Sequence, residues 1–208
     1  MEINNILFRS AEIGKDEKRI ARLWHDVYHE SHAHLVAPEL LQFRTLESFE
    51  IRASEPRFIK ETIVAIEMND ENDTKHDNLL GFITTRVETF EIYQLFVAKE
   101  VRGLGIAKEL MSRAENYFKS FQNNEKADFS EENINADLTI HLYASVGNTM
   151  AKRFYEKLGY EVVNEEMFQA EIVVKADKNV RNDDNFCNKS FQIRHFPVHC
   201  YRFEKKLA

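Results

Sequence analysis

Residues 91–107 read EIYQLFVAKEVRGLGIA, and the organisation of the whole chain turns on this stretch. EIYQLFVA (91–98) is rich in aromatic and branched residues and reads as a strand. Arg102-Gly103-Leu104-Gly105 interrupts it. IAKELMSRAENYFKSF (106–121) then puts Ile106, Leu110, Ala114, Tyr117 and Phe118 on one helical stripe. A helix start presents backbone N–H groups without partners and a partial positive charge, both suited to an anionic phosphate. Glycines at 103 and 105 remove side chains that would hold a diphosphate away from those amides. Arg102 and Lys108 offer charge-assisted contacts. By itself such a turn is as readily a tight connection. Two other nucleotide patterns are excluded: there is no G-x-x-x-x-G-K-[ST] loop, and Lys108 stands where a dinucleotide fingerprint needs glycine or alanine.

Outward from this turn, hairpins and helices alternate. On the N-terminal side, INNILFR (3–9) reads as a first strand, residues 16–30 as a helix with Ile20, Leu23, Trp24 and Val27 inward, and residues 39–53 as a second helix burying Leu40, Leu41, Phe43, Leu46 and Phe49. TIVAIEM (62–68) and LLGFITTRVETF (79–90) flank a polar turn as an antiparallel hairpin. On the C-terminal side, the polar residues 122–137 read as a solvated loop, 138–144 as a strand and 146–160 as a helix closed by Gly159. Residues 161–175 and 190–207 read as a terminal hairpin with a long charged connection. Strands alternating with helices between two hairpins imply a mixed α/β sheet.

The 208 residues suit one domain carrying insertions. A formal charge of −7 argues against a nucleic-acid partner, which needs a dense Lys/Arg face. It leaves room for a cationic acceptor. Two cysteines, Cys187 and Cys200, show no metal-type spacing and read as free thiols in a reducing compartment. No secretory signal and no membrane-length apolar run is visible, so the expected location is the cytoplasm, without a membrane partner. His29, His32 and His34 do not make a zinc motif, because His29 and His32 are three apart rather than four. No metal is expected.

The run Leu95-Phe96-Val97-Ala98-Lys99-Glu100-Val101-Arg102-Gly103-Leu104-Gly105-Ile106-Ala107 resembles the main cofactor motif of the GNAT superfamily of N-acetyltransferases. Its signature is Arg/Gln-x-x-Gly-x-Gly/Ala, filled here by Arg102, Gly105 and Ala107. A second family motif is matched by Asn148, Ala151, Phe154, Tyr155, Gly159 and Tyr160. The resemblance covers about residues 3–167 and the final strand. It does not inform 122–137 and 170–192, which read as insertions in a single domain spanning 1–208. It implies a GNAT fold, a mixed and mostly antiparallel sheet of six or seven strands flanked by helices. It also implies acetyl-CoA as the acyl-donor cosubstrate and a primary amine as acceptor, joined by direct attack in a ternary complex. A homodimer is compatible with this reading.

The same resemblance implies a bulge that splays the fourth strand from the fifth. Phe96 and Val97 would offer backbone groups to the pantetheine arm, with the Val97 N–H facing the thioester carbonyl oxygen where negative charge develops. Residues 102–108, including Leu104 and Ile106, and Asn148 would hold the cofactor. Asn148 and Tyr155, seven apart, would share a helix face, with Ala151 between them. The Tyr155 hydroxyl would protonate the departing thiolate. Between a free phenol and a free thiol that transfer is uphill by ~1.5 units, or about 2 kcal/mol. Packing against the core is the plain alternative for that tyrosine.

Glu91 matches a position where family members carry a glutamate and is the candidate base. Direct transfer from an ammonium of pKa ~10.4 to a carboxylate of ~4.3 is uphill by about 8 kcal/mol. Glu91 therefore needs a raised pKa, a depressed amine pKa or a water chain; an ordinary surface glutamate is the alternative. His32 and His34 border the acceptor pocket by the same resemblance, against a plain helix terminus with exposed histidines. Two other functions remain open at this point: a non-catalytic acyl-CoA sensor on the same fold, and an interaction module whose glycine turn binds no nucleotide. The acceptor amine is not legible.

Overall fold

In the computed structural model, residues 5–68, 78–126, 138–175 and 191–207 are described. The elements in chain order are β1 (Ile6–Ser10), α1 (Glu17–His32), α2 (Pro38–Leu41), α3 (Leu46–Ala53), α4 (Pro56–Lys60), β2 (Thr62–Glu67), β3 (Asn78–Arg86), β4 (Glu91–Val97), α5 (Ile106–Lys126), β5 (Leu138–Ser145), α6 (Thr149–Lys157), β6 (Glu161–Lys175) and β7 (Phe191–Leu207). The strands form one seven-stranded sheet in the order β1-β2-β3-β4-β5-β7-β6. Every neighbouring pair is antiparallel except β4 with β5. The expected mixed, mostly antiparallel sheet flanked by helices is the observed one.

Two apolar layers cover the sheet. Trp24 on α1 stacks on Phe58 and tilts against Phe49, with ring centroids 5.2 and 4.9 Å away, and Phe82 and Phe96 lie beneath it on β3 and β4. The opposite face packs Ile106, Leu110, Ala114 and Phe118 of α5 with Tyr155, Tyr160 and Phe203. Burying one such phenylalanine contributes roughly 1.5–3 kcal/mol, so the α5 stripe alone fixes that helix to the sheet. Tyr117 departs from the expected stripe and is 42% exposed. At 100° per residue it falls to the side of the face that Ala114 and Phe118 bury.

Asp16 precedes α1 but does not cap it through its side chain. Its fully buried carboxylate instead takes both terminal nitrogens of Arg9, at 2.6 and 3.0 Å, and the Glu12 N–H at 2.8 Å. Burial raises its pKa, and these donors outweigh burial and hold it below the usual carboxylate value.

Several expected boundaries move. The helix expected over 39–53 is two helices, because Thr45 is extended (φ −80°, ψ 158°) and its hydroxyl accepts from the Ser48 N–H to start α3 anew. The first strand lies at 6–10 rather than 3–9, with residues 1–4 outside the described ones. The strand expected over 79–90 stops at Arg86. A 3₁₀ turn follows and ends at Phe90, which holds a left-handed φ of 52° while its ring packs on Phe118. Residues 122–126 continue α5 rather than forming a loop. The helix expected over 146–160 spans 149–157, with Asn148 outside it as the N-cap. The terminal hairpin is present as β6 and β7; its expected connection, 176–189 with Cys187 in it, lies outside the described residues, as do residue 190 and 127–137.

Candidate functional site

The site arises where two strands stop pairing. β4 and β5 pair only at Glu91↔His141 and Ile92↔Leu142. Between Thr84↔Gln94 and Thr85↔Ile92, β3 skips one residue of β4, so Tyr93 is the bulged position. Past it β4 stays on β3 and leaves β5. The Ala98 N–H donates to Leu80 O at 2.8 Å. Alternation along an antiparallel ladder then assigns the Phe96 backbone groups to Phe82 and turns those of Leu95 and Val97 toward the parted side. The expected bulge and splay are both present. Of the two expected backbone contacts, Val97 is open to the gap, whereas Phe96 is used by β3 and its ring is buried against Trp24.

The gap is a cleft of about 450 Å³. Its walls include Phe96, Val97, Arg102, Gly103, Gly105, Ile106, Ala107 and Lys108 from the motif, Asn148, Ala151, Phe154 and Tyr155 from the second motif, and His32 from α1. Leu104, Glu91 and His34 do not line it. Leu104 packs into the α5 layer, and its N–H reaches Val101 O at 3.4 Å. The N–H groups of Gly103, Gly105, Ile106, Ala107 and Lys108 have no acceptor among the described residues. Gly103 and Gly105 are exposed, with φ of 82° and 85°, values that L side chains rarely adopt. A Cβ added at Gly103 would meet nothing within 4 Å, so space beside the turn is open. These open amides at a helix start fit a diphosphate.

Charge around the turn is already partly engaged. Arg102 donates to both oxygens of Glu30, at 3.0 and 3.1 Å, and Lys99 approaches the same carboxylate at 3.6 Å. Asn148 accepts from the Ala151 N–H at 3.0 Å, so its carbonyl oxygen serves α6. Tyr155 is 9% exposed, and its hydroxyl has no hydrogen-bond partner among the described residues. Burial pushes its pKa well above that of a free phenol and keeps it protonated.

On the other face, His32 stacks on Tyr28 with centroids 4.9 Å apart, and its Nδ1 meets the Ser31 hydroxyl at 2.7 Å. Burial first, then the nearby Arg44, lowers its pKa to about 4, so it is neutral near pH 7. His34 is exposed, and His29 is occupied at Nε2 by Arg44 O at 2.7 Å. Glu91 is 6% exposed and pairs with Arg86 at 3.4 Å. Burial raises its pKa against the pull of Arg86. Sequence reading missed Tyr93 and Tyr143, which also line the cleft, one from each parted strand. It also missed Arg52 and Arg86, which lie over the Tyr93 ring, and Arg44, which lies over Tyr28; only their clustering with aromatic residues in space marks them, and no spacing along the chain does.

Residues 61–162 match a family model described as an acetyltransferase (GNAT) domain. That span includes all of the cleft's walls except those from α1. Solved structures of the same fold include the PaiA N-acetyltransferase of Thermoplasma acidophilum in complex with coenzyme A. It is 17% identical, with 97% of this chain and 99% of that chain covered and a TM-score of 0.58. A GCN5-related N-acetyltransferase from Rhodopseudomonas palustris is 13% identical, covering 100% and 99%, with a TM-score of 0.62. Arabidopsis thaliana NAA60 in complex with a bisubstrate analogue is 15% identical, covering 98% and 99%, with a TM-score of 0.55. At these identities the likeness is one of fold. No curated protein matches the chain.

Proposed function

This chain belongs to the GNAT superfamily of acetyltransferases, and we propose that it moves an acetyl group from acetyl-CoA to a primary amine by direct attack in a ternary complex. The observation that carries this reading is the row of open amides at Gly103, Gly105, Ile106, Ala107 and Lys108, at the mouth of a cleft that ends at Tyr155. Acetyl-CoA supplies the acetyl group as a thioester. The open amides and Lys108 bind its diphosphate, and the Val97 N–H stabilises negative charge developing on the thioester oxygen. The PaiA structure of the same fold was solved with coenzyme A, which supports a cleft of this shape taking that ligand.

As the nitrogen–carbon bond forms and the carbon–sulfur bond breaks, the Tyr155 hydroxyl gives its proton to sulfur and regains one from solvent. Its raised pKa makes complete transfer harder than the ~1.5 units that separate a free phenol from a free thiol. The phenol therefore acts mainly as a hydrogen-bond donor throughout bond cleavage, with the proton passing late. The amine loses one proton before attack and another afterwards. Glu91 does not line the cleft, so it receives them through intervening water, and its raised pKa narrows the gap to the ammonium. Neutral His32 contacts the acceptor as a polar group. The enzyme acts as a single domain in the cytoplasm.

The experiment is acetyl-CoA turnover with a panel of primary amines, followed by release of the free thiol. Acetylated amine appearing in step with thiol supports the reading. Tight CoA binding without transfer to any amine would favour the sensor instead.

A further inference from the structure

The cleft takes its walls from both apolar layers of the sheet, and the two sides offer different chemistry. On the side of α1 and α3 it is walled by Val27, Ser31, His32, Tyr93, Phe96 and Tyr143. Four of these six carry flat rings, and none is charged near pH 7, since burial keeps His32 neutral. The cations of the wall, Arg102 and Lys108, both belong to the glycine turn, and no Asp or Glu among the described residues lines the cleft. The carboxylates around it are turned elsewhere. Glu91 pairs with Arg86, and Glu30 is held by Arg102 and Lys99. Glu166 lies near enough to act on the Tyr143 hydroxyl electrostatically, but it does not line the cleft, and its Oε1 is buried with no hydrogen-bond partner among the described residues.

The rings are held in place by one another. Phe96 stacks on Phe82 and meets His32 with centroids 5.9 Å apart, while His32 lies flat on Tyr28 at 4.9 Å. Tyr143 completes the wall from β5, its ring packed on Phe168 at 4.8 Å. The Tyr93 ring already has the Arg86 guanidinium 3.5 Å from its centroid and that of Arg52 at 5.6 Å, so its attraction for a cation is in use. A second ammonium on the acceptor would lose its water here and find no carboxylate in the wall to replace it. An aromatic group meets no such cost, because it buries apolar area against rings.

We propose that this aromatic, carboxylate-free wall makes the acceptor a monoamine with an aromatic body, of the arylalkylamine class, and rejects di- and polyamines. The inference rests on the acetyl-transfer reading and names its acceptor class. The acceptor's ring lies among Tyr93, Tyr143 and His32, where offset and edge-on contacts add to the area buried. Its single nitrogen becomes an amide in the reaction, so the product leaves no charge in the cleft. A diamine acetylated at one end would leave its other ammonium there unpaired.

The test compares phenethylamine, cyclohexylethylamine, butylamine and putrescine at saturating acetyl-CoA. The expected kcat/KM for phenethylamine is about tenfold or more above that for butylamine or putrescine. Over cyclohexylethylamine, which matches it in size but lacks the flat ring, the margin is about threefold or more. In Tyr143→Leu that margin falls toward unity through a rise in the phenethylamine KM, while the Kd for CoA stays within about twofold. An unchanged margin in the variant overturns the proposal. So does equal or better use of butylamine, cyclohexylethylamine or putrescine by the wild type, and either result leaves acetyl transfer standing. Failure to acetylate any of a wide amine panel overturns the transfer reading itself, and this one with it. Should Tyr143→Leu not fold, the wild-type protein with CoA is melted with N-acetylphenethylamine or N-acetylputrescine. A higher Tm with the aromatic amide supports the proposal, and an equal or larger shift with N-acetylputrescine overturns it.

Discussion

Arg102 and Glu30 form a two-point ion pair, at 3.0 and 3.1 Å, that ties the glycine turn to the last turns of α1. The arginine of the signature motif is thus held by a carboxylate rather than left open to a phosphate. Glu30 also adds negative charge at the mouth of the cleft. The five open amides carry the anion site, and Arg102 is a reserve that binding must release.

Glu30→Gln should therefore tighten CoA binding. A half-exposed ion pair contributes up to about 1 kcal/mol, so the gain is about two- to fivefold at low salt and shrinks at high salt. Calorimetric titrations at two ionic strengths measure it. Weaker binding in the variant would mean that Glu30 holds Arg102 in its binding position.

Gly105→Glu should weaken CoA binding by at least about 100-fold. The substitution brings bulk and like charge to the amides, and a left-handed φ of 85° adds about 1–2 kcal/mol of strain. Calorimetry on folded variant protein reads the affinity. Retained micromolar binding would show that the diphosphate lies elsewhere.

Tyr155→Phe should lower kcat by about 10²-fold or more with little change in Kd for CoA. Its stability should stay close to wild type, because the lost hydroxyl has no partner among the described residues and the ring contacts with Phe154, Tyr160 and Phe203 remain. Steady-state kinetics beside a urea titration separates the two effects. Unchanged kcat would remove the hydroxyl from the chemistry.

His32 gives stability a pH dependence of predictable sign. Its pKa is about 4 when folded and ~6.5 when unfolded. Above pH ~6.5 it is neutral in both states and its contribution is fully present. As pH falls toward 4, the unfolded chain takes up the proton first and stability is lost. Wild type should lose about 2 kcal/mol more than His32→Gln between about pH 7 and pH 5, in paired urea titrations. Parallel losses in the two proteins would mean that His32 is not desolvated as its packing on Tyr28 requires.

The strand-turn-helix at 91–107 was legible because its glycines sit where the backbone takes positive φ, a need that local sequence expresses. The helix stripe of Ile106, Leu110, Ala114 and Phe118 was legible for the same local reason. The break at Thr45 was not, because the apolar positions on both sides continue one helical period and hide a cap in mid-pattern. Nor was the use of Phe96 by β3, since a one-residue bulge at Tyr93 decides which amides face the gap, and alternating strand residues read alike with or without it. Arg44 and Arg52 were invisible for a tertiary reason. Arginine reads as surface from sequence, and only the aromatic residues of α1 and β4 gathered around these two reveal burial.

The most direct measurement is a titration of ¹⁵N-labelled protein with CoA, followed amide by amide. The account predicts binding well tighter than about 1 mM, with the largest shifts at Gly103, Gly105, Ile106, Ala107 and Lys108 and a further shift at Val97. No binding at millimolar CoA, or binding that leaves those amides unmoved, would contradict it.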